Sequence, residues 1–311
     1  MQEPRYINPY TDFGFKKLFG SELNKELLIS FLNALLEGEQ EIVELRYLSS
    51  ERLGANQESR RAIFDVYCES TKGEKFIVEM QNVFQQFYKD RSIYYSTFPI
   101  QEQANRGRDW DFRLNRVYTI GILNFVFPDD EYSSECLHHT VKLMDVDDGH
   151  VFFDKLTFIY LEMPKFRKTE AELRTPLDKW LFVLSNLSRL MERPAALQER
   201  VFTRLFEQAE IARFTPEERR IYFDNYKAYR DINNAVSTAR CEGWEEGKEE
   251  GRAEGRAEGH EEGMKKGRSE EKRLLAQKMK AKGIPVADIA EMTGLSVAEV
   301  EILKDFAILL I

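Results

Sequence analysis

One short stretch of the sequence brings together two acidic residues and an amide that could bind a metal ion. It is residues 64–81, FDVYCESTKGEKFIVEMQ. Alternating apolar residues on either side of a turn signal at residues 72–73 predict the two strands of a hairpin. If the strands pair with their apolar faces together, Asp65, Glu79 and Gln81 lie on the opposite face. Two carboxylates and an amide that converge at strand ends suit a hard cation with oxygen ligands, such as Mg²⁺.

The alternation also assigns the apolar side chains of the hairpin to faces. The predicted apolar face carries Phe64, Val66 and Cys68 from the first strand and Phe76, Val78 and Met80 from the second. Ordinary surface charge is the alternative interpretation of Asp65 and Glu79, because antiparallel hairpins commonly have one solvated face. The run of apolar residues at 76–78 instead indicates a strand buried on both faces, where a carboxylate needs a partner or a metal.

Composition and charge limit the class of protein. The 311 residues, 42% of them hydrophobic, suffice for a core and for one to three domains. The net charge of −9 argues against strong non-specific binding of nucleic acid by the whole chain, although residues 242–271, with 11 acidic and 6 basic side chains, contribute −5 of it. Cys68, Cys136 and Cys241 show neither zinc spacing nor a disulfide framework. With no signal peptide and no membrane span in the sequence, we expect a cytoplasmic protein.

Strands and helices alternate through the first half of the chain. Periodicity predicts helices at 8–20, 21–36 and 84–106, the last bent or interrupted at Pro99, and strands at 42–48, 117–127, 137–144 and 157–163. The 117–127 strand is central and the 137–144 strand lies at an edge. This order predicts an α/β domain with a mixed sheet covered by helices. Residues 49–61 form a loop whose Arg52, Arg60 and Arg61 either approach phosphates or are simply solvated.

Two polar residues outside the hairpin have both a structural and a functional interpretation. Asp12 lies at the start of the first helix and could cap it by accepting amide hydrogens. Arg91 lies within an aromatic stripe at helical spacing, and a buried arginine needs a partner. That partner is either an acidic residue or a scissile phosphate bound bidentately.

Three further segments accompany the hairpin in a fixed order along the chain. They are TDFGFKKLFG at residues 11–20, DRSIYY at 90–95 and LEMPKF at 161–166. Together with Asp65 and Glu79-x-Gln81, whose acids are separated by thirteen residues, they resemble the PD-(D/E)XK nucleases. In particular, they look like the branch of Rpn-type recombination-promoting nucleases, also described as transposases. The resemblance covers roughly residues 8–235, with Met163 in place of the family's leucine.

The resemblance implies a metal-dependent DNA endonuclease associated with recombination or mobile elements. Asp65 and Glu79 would bind Mg²⁺, or alternatively Mn²⁺, together with the backbone carbonyl of Met80. Gln81 stands where many relatives have lysine, so it would orient water without adding positive charge. Asp12 would be an accessory acid of the catalytic set.

The resemblance also implies that Arg91 and Tyr94 contact the phosphate or support the site. Two other functions stay open from the residues alone. One is a non-catalytic DNA-binding protein on the same scaffold. The other is an oligomer-forming interaction protein built on the C-terminal segments.

The sequence predicts four segments with different characters. They are a PD-(D/E)XK nuclease-like core at 1–169, a helical extension at 170–235, a Gly/Glu/Lys/Arg repeat at 236–273 and a helix-turn-helix-like unit at 274–311. The repeat has a glycine at every fourth position from Gly243 to Gly267. In a helix these seven glycines would form a ridge but destabilise it by roughly 0.8–1.0 kcal/mol each relative to alanine. The repeat is therefore either a helix that pairs with a second copy or a flexible charged tether.

The C-terminal unit has the sequence signals of a helix-turn-helix. Gly294 marks a turn, and Ser296 with Glu299 forms a capping box that opens the last helix. The candidate recognition helix presents Glu299, Glu301 and Asp305 against Lys304, which would repel phosphates. We therefore expect the repeat and this unit to serve protein contact or homo-oligomer formation in preference to DNA reading.

Overall fold

A computed structural model describes residues 4–39, 41–52, 62–104, 111–128 and 135–303. The chain divides into two compact units, residues 1–236 and residues 237–311. Among the described residues, no helix combines the length and the apolar character that a membrane span requires.

A six-stranded mixed sheet forms the centre of the first unit, in the order β1-β4-β5-β6-β8-β7. The strands are β1 Leu45–Tyr47, β4 Val66–Ser70, β5 Lys75–Gln81, β6 Val117–Leu123, β7 His138–Met144 and β8 Val151–Glu162; β2 Glu51–Arg52 and β3 Ala62–Ile63 pair separately. β5, β6 and β8 are parallel, whereas β1, β4 and β7 run antiparallel to their neighbours. The predicted mixed sheet, with 117–127 central and 137–144 at an edge, is confirmed.

The described part of the two units contains eight α-helices. They are α1 Asp12–Phe19, α2 Lys25–Leu35, α3 Tyr88–Glu102, α4 Pro176–Asn186, α5 Arg200–Ala209, α6 Pro216–Ala281, α7 Val286–Thr293 and α8 Val297–Ile302. α3 continues through Pro99, so the expected interruption is wrong, whereas a bend at this residue stays a prediction. The first strand begins at Leu45, three residues later than predicted. The side chain of Arg52 and all of Arg60 and Arg61 lie outside the described residues.

The sheet is buried on both faces, as the run at 76–78 indicates. On one face, Val66, Cys68, Phe76, Val78 and Met80 join a core that includes residues of α1, α2, α4 and α5. On the other face, Tyr67 and Ile77 pack with Phe64 against Tyr95 and Phe98 of α3. Phe64 was predicted on the first face, and this prediction is wrong because the chain bends at residue 65 before β4 begins, so the alternation starts only at Val66.

The start of α1 is capped by Thr11, whose Oγ1 accepts a hydrogen bond of 3.0 Å from Gly14 N. The prediction that Asp12 caps this helix is therefore wrong. Asp12 is instead the first helical residue, and its carboxylate lies 2.6 Å from Lys16 Nζ, one turn along. This leaves the Asp12 carboxylate available to act on neighbouring charges.

The LEMPKF segment connects the end of β8 to its neighbours through Glu162, the last residue of that strand. Its fully buried carboxylate accepts a 2.6 Å hydrogen bond from Phe127 N and lies 3.0 Å from His139 Nε2 of β7. It also pairs with Lys165, three residues on. One carboxylate thus joins three separate segments, which is a structural reason for this sequence pattern.

The repeat glycines all lie within α6, so the segment is helical. A Cβ at any of them would meet nothing within 4 Å in the described part of the chain. In the second unit, Ala276, Ile289 and Val300 form a small core. The predicted turn and capping box are confirmed, since Gly294 has φ +67° and Ser296 N donates to Glu299 Oε2 at 2.8 Å. Lys304 and Asp305 lie outside the described residues.

Candidate metal-dependent nuclease site

The hairpin brings Asp65 and Glu79 side by side. Val66 pairs with Val78 in the antiparallel register, which sets the preceding Asp65 opposite Glu79. Asp65 N donates to Glu79 Oε1 at 3.2 Å, and Met80 N donates to Asp65 Oδ2 at 2.8 Å. These two hydrogen bonds hold both carboxylates at the carboxyl end of β5.

Burial makes this carboxylate pair unfavourable when both members are ionised. Glu79 is 5% exposed, and burial together with the neighbouring charge of Asp65 raises its pKa to about 8. Burial also raises the pKa of Asp65, and the negative charge of Asp12 acts in the same direction. A cation bound between the carboxylates would replace the retained proton and relieve this repulsion.

Gln81 connects the carboxylate pair to α3. Its Nε2 donates to Glu79 Oε2 at 3.1 Å, and its Oε1 accepts from Arg91 Nη2 at 2.5 Å. Arg91 Nη1 also donates to Gln85 Oε1. The partners of Arg91 in this network are therefore amide oxygens, and its positive charge lowers the pKa of both Asp65 and Glu79.

The Arg91 guanidinium is further held between aromatic rings. It lies 5.2 Å from the ring centre of Tyr88 and 5.8 Å from that of Tyr95. Its Nε is buried and has no hydrogen-bond partner among the described residues.

Lys16 is a charged neighbour of the site that the sequence analysis did not select. Besides pairing with Asp12, its positive charge lowers the pKa of both Asp65 and Glu79. The TDFGFKKLFG segment contains it, and the four-residue spacing from Asp12 to Lys16 is the signal that could have indicated an ion pair. The structure thus places a lysine near the carboxylate pair. The strand β5 itself carries the uncharged Gln81 beside the pair.

Tyr88 is a second residue that the sequence analysis placed only in an aromatic stripe. Gly121 of β6 pairs with Glu79 of β5, and a Cβ at Gly121 would lie 2.3 Å from the Tyr88 hydroxyl. Burial and the charge of Glu79 raise the pKa of Tyr88, so its phenol stays protonated. Tyr94, by contrast, is 42% exposed and packs on Phe98, and its role stays a prediction.

The few oxygen ligands at this site fit a hard divalent cation. Within the described ranges, no group of three or more His, Cys, Asp or Glu residues could hold a metal ion. Mg²⁺ commonly binds one or two carboxylates and completes its shell with water and substrate phosphate. Asp65 and Glu79, with a backbone carbonyl such as that of Met80, match this pattern, and the exact ligand set stays a prediction.

The mixed sheet, the flanking helices and the carboxylate pair on the hairpin are consistent with the PD-(D/E)XK nuclease fold. The chain belongs to the PD-(D/E)XK nuclease family transposases, whose family model matches residues 9–239. No curated protein and no solved structure matches the chain. The family predicted from the sequence is therefore confirmed, whereas the Rpn-type branch within it stays a prediction.

Proposed function

We propose that the protein is a metal-dependent DNA endonuclease that hydrolyses phosphodiester bonds in recombination or in the movement of mobile elements, and that it belongs to the Rpn-type branch. Membership of a nuclease family supports the reaction class. The observation that carries the proposal is the buried Asp65–Glu79 pair, whose pKa values are both raised. Such a pair destabilises the protein unless a positive group joins it, which favours a functional role.

Asp65 and Glu79 would hold Mg²⁺ or Mn²⁺, with the Met80 carbonyl as a third ligand. When bound, such an ion lowers the pKa of a water molecule and stabilises the charge that develops on the phosphate. The hydrogen bonds from Asp65 N and Met80 N fix the carboxylates before the ion arrives. This preorganisation avoids a rearrangement during the reaction.

The remaining residues position water and balance charge. Gln81, held by Arg91, can orient a water molecule through its amide but adds no charge. Lys16 supplies the positive charge near the carboxylates that glutamine lacks. The positive charge of Arg91, which lowers the pKa of both carboxylates, would also attract a phosphate group. Asp12 holds Lys16 in place.

Nicking of supercoiled plasmid by the purified full chain tests this function. We expect cleavage with Mg²⁺ or Mn²⁺ and none with EDTA. Asp65→Asn and Glu79→Gln should each reduce the rate by at least about 100-fold, because either change removes a charged ligand. Parallel reactions on RNA and on single-stranded DNA define the substrate.

Asp224→Asn on the exposed surface of α6 is the matched control, and it should cleave like the wild type. Equal cleavage by the wild type and both site variants would place the reaction elsewhere or in a contaminant. An inactive wild type that still binds DNA would favour a non-catalytic DNA-binding protein.

A further inference from the structure

A second polar site lies at the same edge of the sheet as the carboxylate pair. Because β5, β6 and β8 are parallel, their carboxyl ends meet at this edge. Glu79 and Gln81 end β5, Asn124 follows β6, and residues 163–168 follow β8. A cavity of about 320 Å³ lies beside the ends of β6 and β8, and we call it the basic pocket.

The charges that line the basic pocket are all positive. Of the thirteen described residues that line it, Arg167, Lys168 and Arg189 are cationic and none is acidic. Lys168 is paired with Asp178 at 2.7 Å. Neither Arg167 nor Arg189 forms an ion pair within the described part of the chain, so their two charges are available to an anion.

Uncharged hydrogen-bond donors complete the wall of the basic pocket. The Ser185 side chain lies in this wall beside Tyr10, and a hydrogen bond with Ser185 acts to lower the pKa of the Tyr10 phenol. Burial outweighs this effect and raises the pKa of Tyr10, so its phenol stays protonated. The Asn8 side chain also lines the pocket. Two guanidinium groups with hydroxyl and amide donors are the groups that bind phosphate oxygens.

One residue connects the basic pocket directly to the strand that carries Glu79. Asn124 lines the pocket, and its N donates to Gln81 O at 2.8 Å. Its Nδ2 also donates to Asn82 Oδ1 at 2.8 Å. Neighbouring strands lie about 4.8 Å apart, so the ends of β6 and β8 are roughly 5 and 10 Å from the end of β5. Successive phosphates of one strand advance by about 3.4 Å along a duplex axis, so this span covers up to about three nucleotides.

We propose that the basic pocket binds a backbone phosphate of the nucleic-acid strand within a few nucleotides of the bond that is cut, and so fixes the register of that strand. This inference rests on the proposed function for the identity of the ligand. Arg167 and Arg189 supply the charge, and the neighbouring hydroxyl groups of Ser185 and Tyr10 supply a polar wall. The chain is acidic overall, so a local cationic pocket explains how it holds a polyanion at this edge.

The test measures DNA binding by the full chain in EDTA. The fluorescence anisotropy of a labelled single strand, and of its duplex, gives Kd. Arg167→Ala combined with Arg189→Ala should raise Kd by about 10-fold and make the salt dependence shallower by about one unit of slope per arginine. Both side chains are exposed, so the fold should survive, and circular dichroism checks this.

The matched control is Arg219→Ala combined with Arg220→Ala, which removes the same charge from an exposed part of α6. It should leave Kd within about twofold of the wild type, since rim charges away from a contact contribute little. An unchanged Kd for the pocket variant, or an equal loss in both variants, would overturn the inference. The binding assay contains no metal, so its result does not depend on cleavage. If the wild type binds DNA through the pocket but never cleaves it with Mg²⁺ or Mn²⁺, the proposed function is contradicted and this site is not.

Oligonucleotides with and without a 5′-phosphate distinguish an internal phosphodiester from a terminal phosphate. If the pocket variant weakens both equally, the pocket holds an internal phosphate, as proposed. If it removes only a preference for the 5′-phosphorylated strand, the pocket holds a strand end and the register assignment is wrong.

Discussion

At the scale of single residues, the carboxylate pair explains why this site should respond to both pH and metal. Glu79 is almost fully buried and ionises only at about pH 8. In the unfolded chain the same group would ionise near its ordinary value of 4.5. Between these two values the folded state holds a proton that the unfolded state has released.

We therefore predict that the metal-free protein loses stability as the pH rises from about 5 to about 8. The sign follows because the proton-binding state is the folded one, so raising the pH favours unfolding. The change should be on the order of a few kcal/mol, given about 1.4 kcal/mol per unit of pKa difference. Thermal unfolding in EDTA across this range measures it.

Glu79→Gln is the matched variant, because its amide cannot ionise. It should show a much shallower loss, and added Mg²⁺ should flatten the wild-type curve by binding the ionised pair. The explanation fails if wild type and Glu79→Gln respond identically to pH.

Lys16 is a cationic neighbour of the carboxylate pair that only the structure revealed. We predict that Lys16→Gln lowers kcat by about 10- to 100-fold, as loss of a charge near a developing anion does. Lys16 lowers the pKa of Asp65 and Glu79, so its removal raises both. The acidic limb of the pH–rate profile should therefore move to higher pH.

Lys227→Gln, at an exposed position of α6, is the control and should change neither kcat nor the profile. A lower kcat with an unmoved acidic limb would show that Lys16 acts on folding or binding and not on the carboxylates. KM for plasmid should change less than kcat if Lys16 acts on the carboxylates.

At the scale of elements, the position of α3 over the sheet depends on a single glycine. Gly121 lies in the fully buried strand β6, and the Tyr88 hydroxyl occupies the space of its missing Cβ. Tyr88 begins α3, and Arg91 follows one turn later. A side chain at position 121 would therefore displace α3, and with it Arg91, which donates a hydrogen bond to Gln81.

We predict that Gly121→Ala destabilises the protein by about 1–3 kcal/mol in urea unfolding, as overpacking of a core does. Cleavage should fall as well, because Arg91 moves with α3. Adding Tyr88→Phe should recover part of the stability, since the hydroxyl at 2.3 Å is the nearest atom and the next lie at 3.2 Å. The control is Tyr88→Phe alone, which removes the hydroxyl but leaves Gly121 in place. No recovery in the double variant would mean that Leu123 or Tyr160 is the limiting neighbour.

At the scale of the whole molecule, the family match ends at residue 239, close to the boundary between the two compact units. The glycine repeat begins just beyond it and is exposed along α6. A polar helix with seven glycines is marginal alone, and its small residues permit close approach of a second helix.

We predict that the full chain has twice the mass of one protomer in solution, whereas a chain that ends at Asn234 has the mass of one. Replacing Gly247, Gly251, Gly255 and Gly259 by alanine should increase helix content, at roughly 0.8–1.0 kcal/mol per residue, yet weaken the dimer because each Cβ separates the backbones. Light scattering and circular dichroism measure the two effects. If the full chain has the mass of one protomer, the repeat is a helix of the monomer and the predicted dimer is wrong.

The sequence alone determined which side chains of the hairpin share a face and the class of the fold. Strict alternation on both sides of residues 72–73 fixes which side chains share a face, because the side-chain period of a strand is two. That rule places Asp65, Glu79 and Gln81 together and sets Met80 on the core face, as the structure has them. It fails only for Phe64, which precedes the bend where the strand begins.

Only the tertiary structure decided what surrounds those side chains. Lys16 and Arg91 come from helices on different faces of the sheet, and the basic pocket combines residues as distant as Asn8 and Arg189. Periodicity describes one element at a time, whereas such neighbours depend on how elements pack across long sequence separations. The raised pKa of Glu79 has the same origin, because burial is a property of the packed fold and not of the strand that carries the residue.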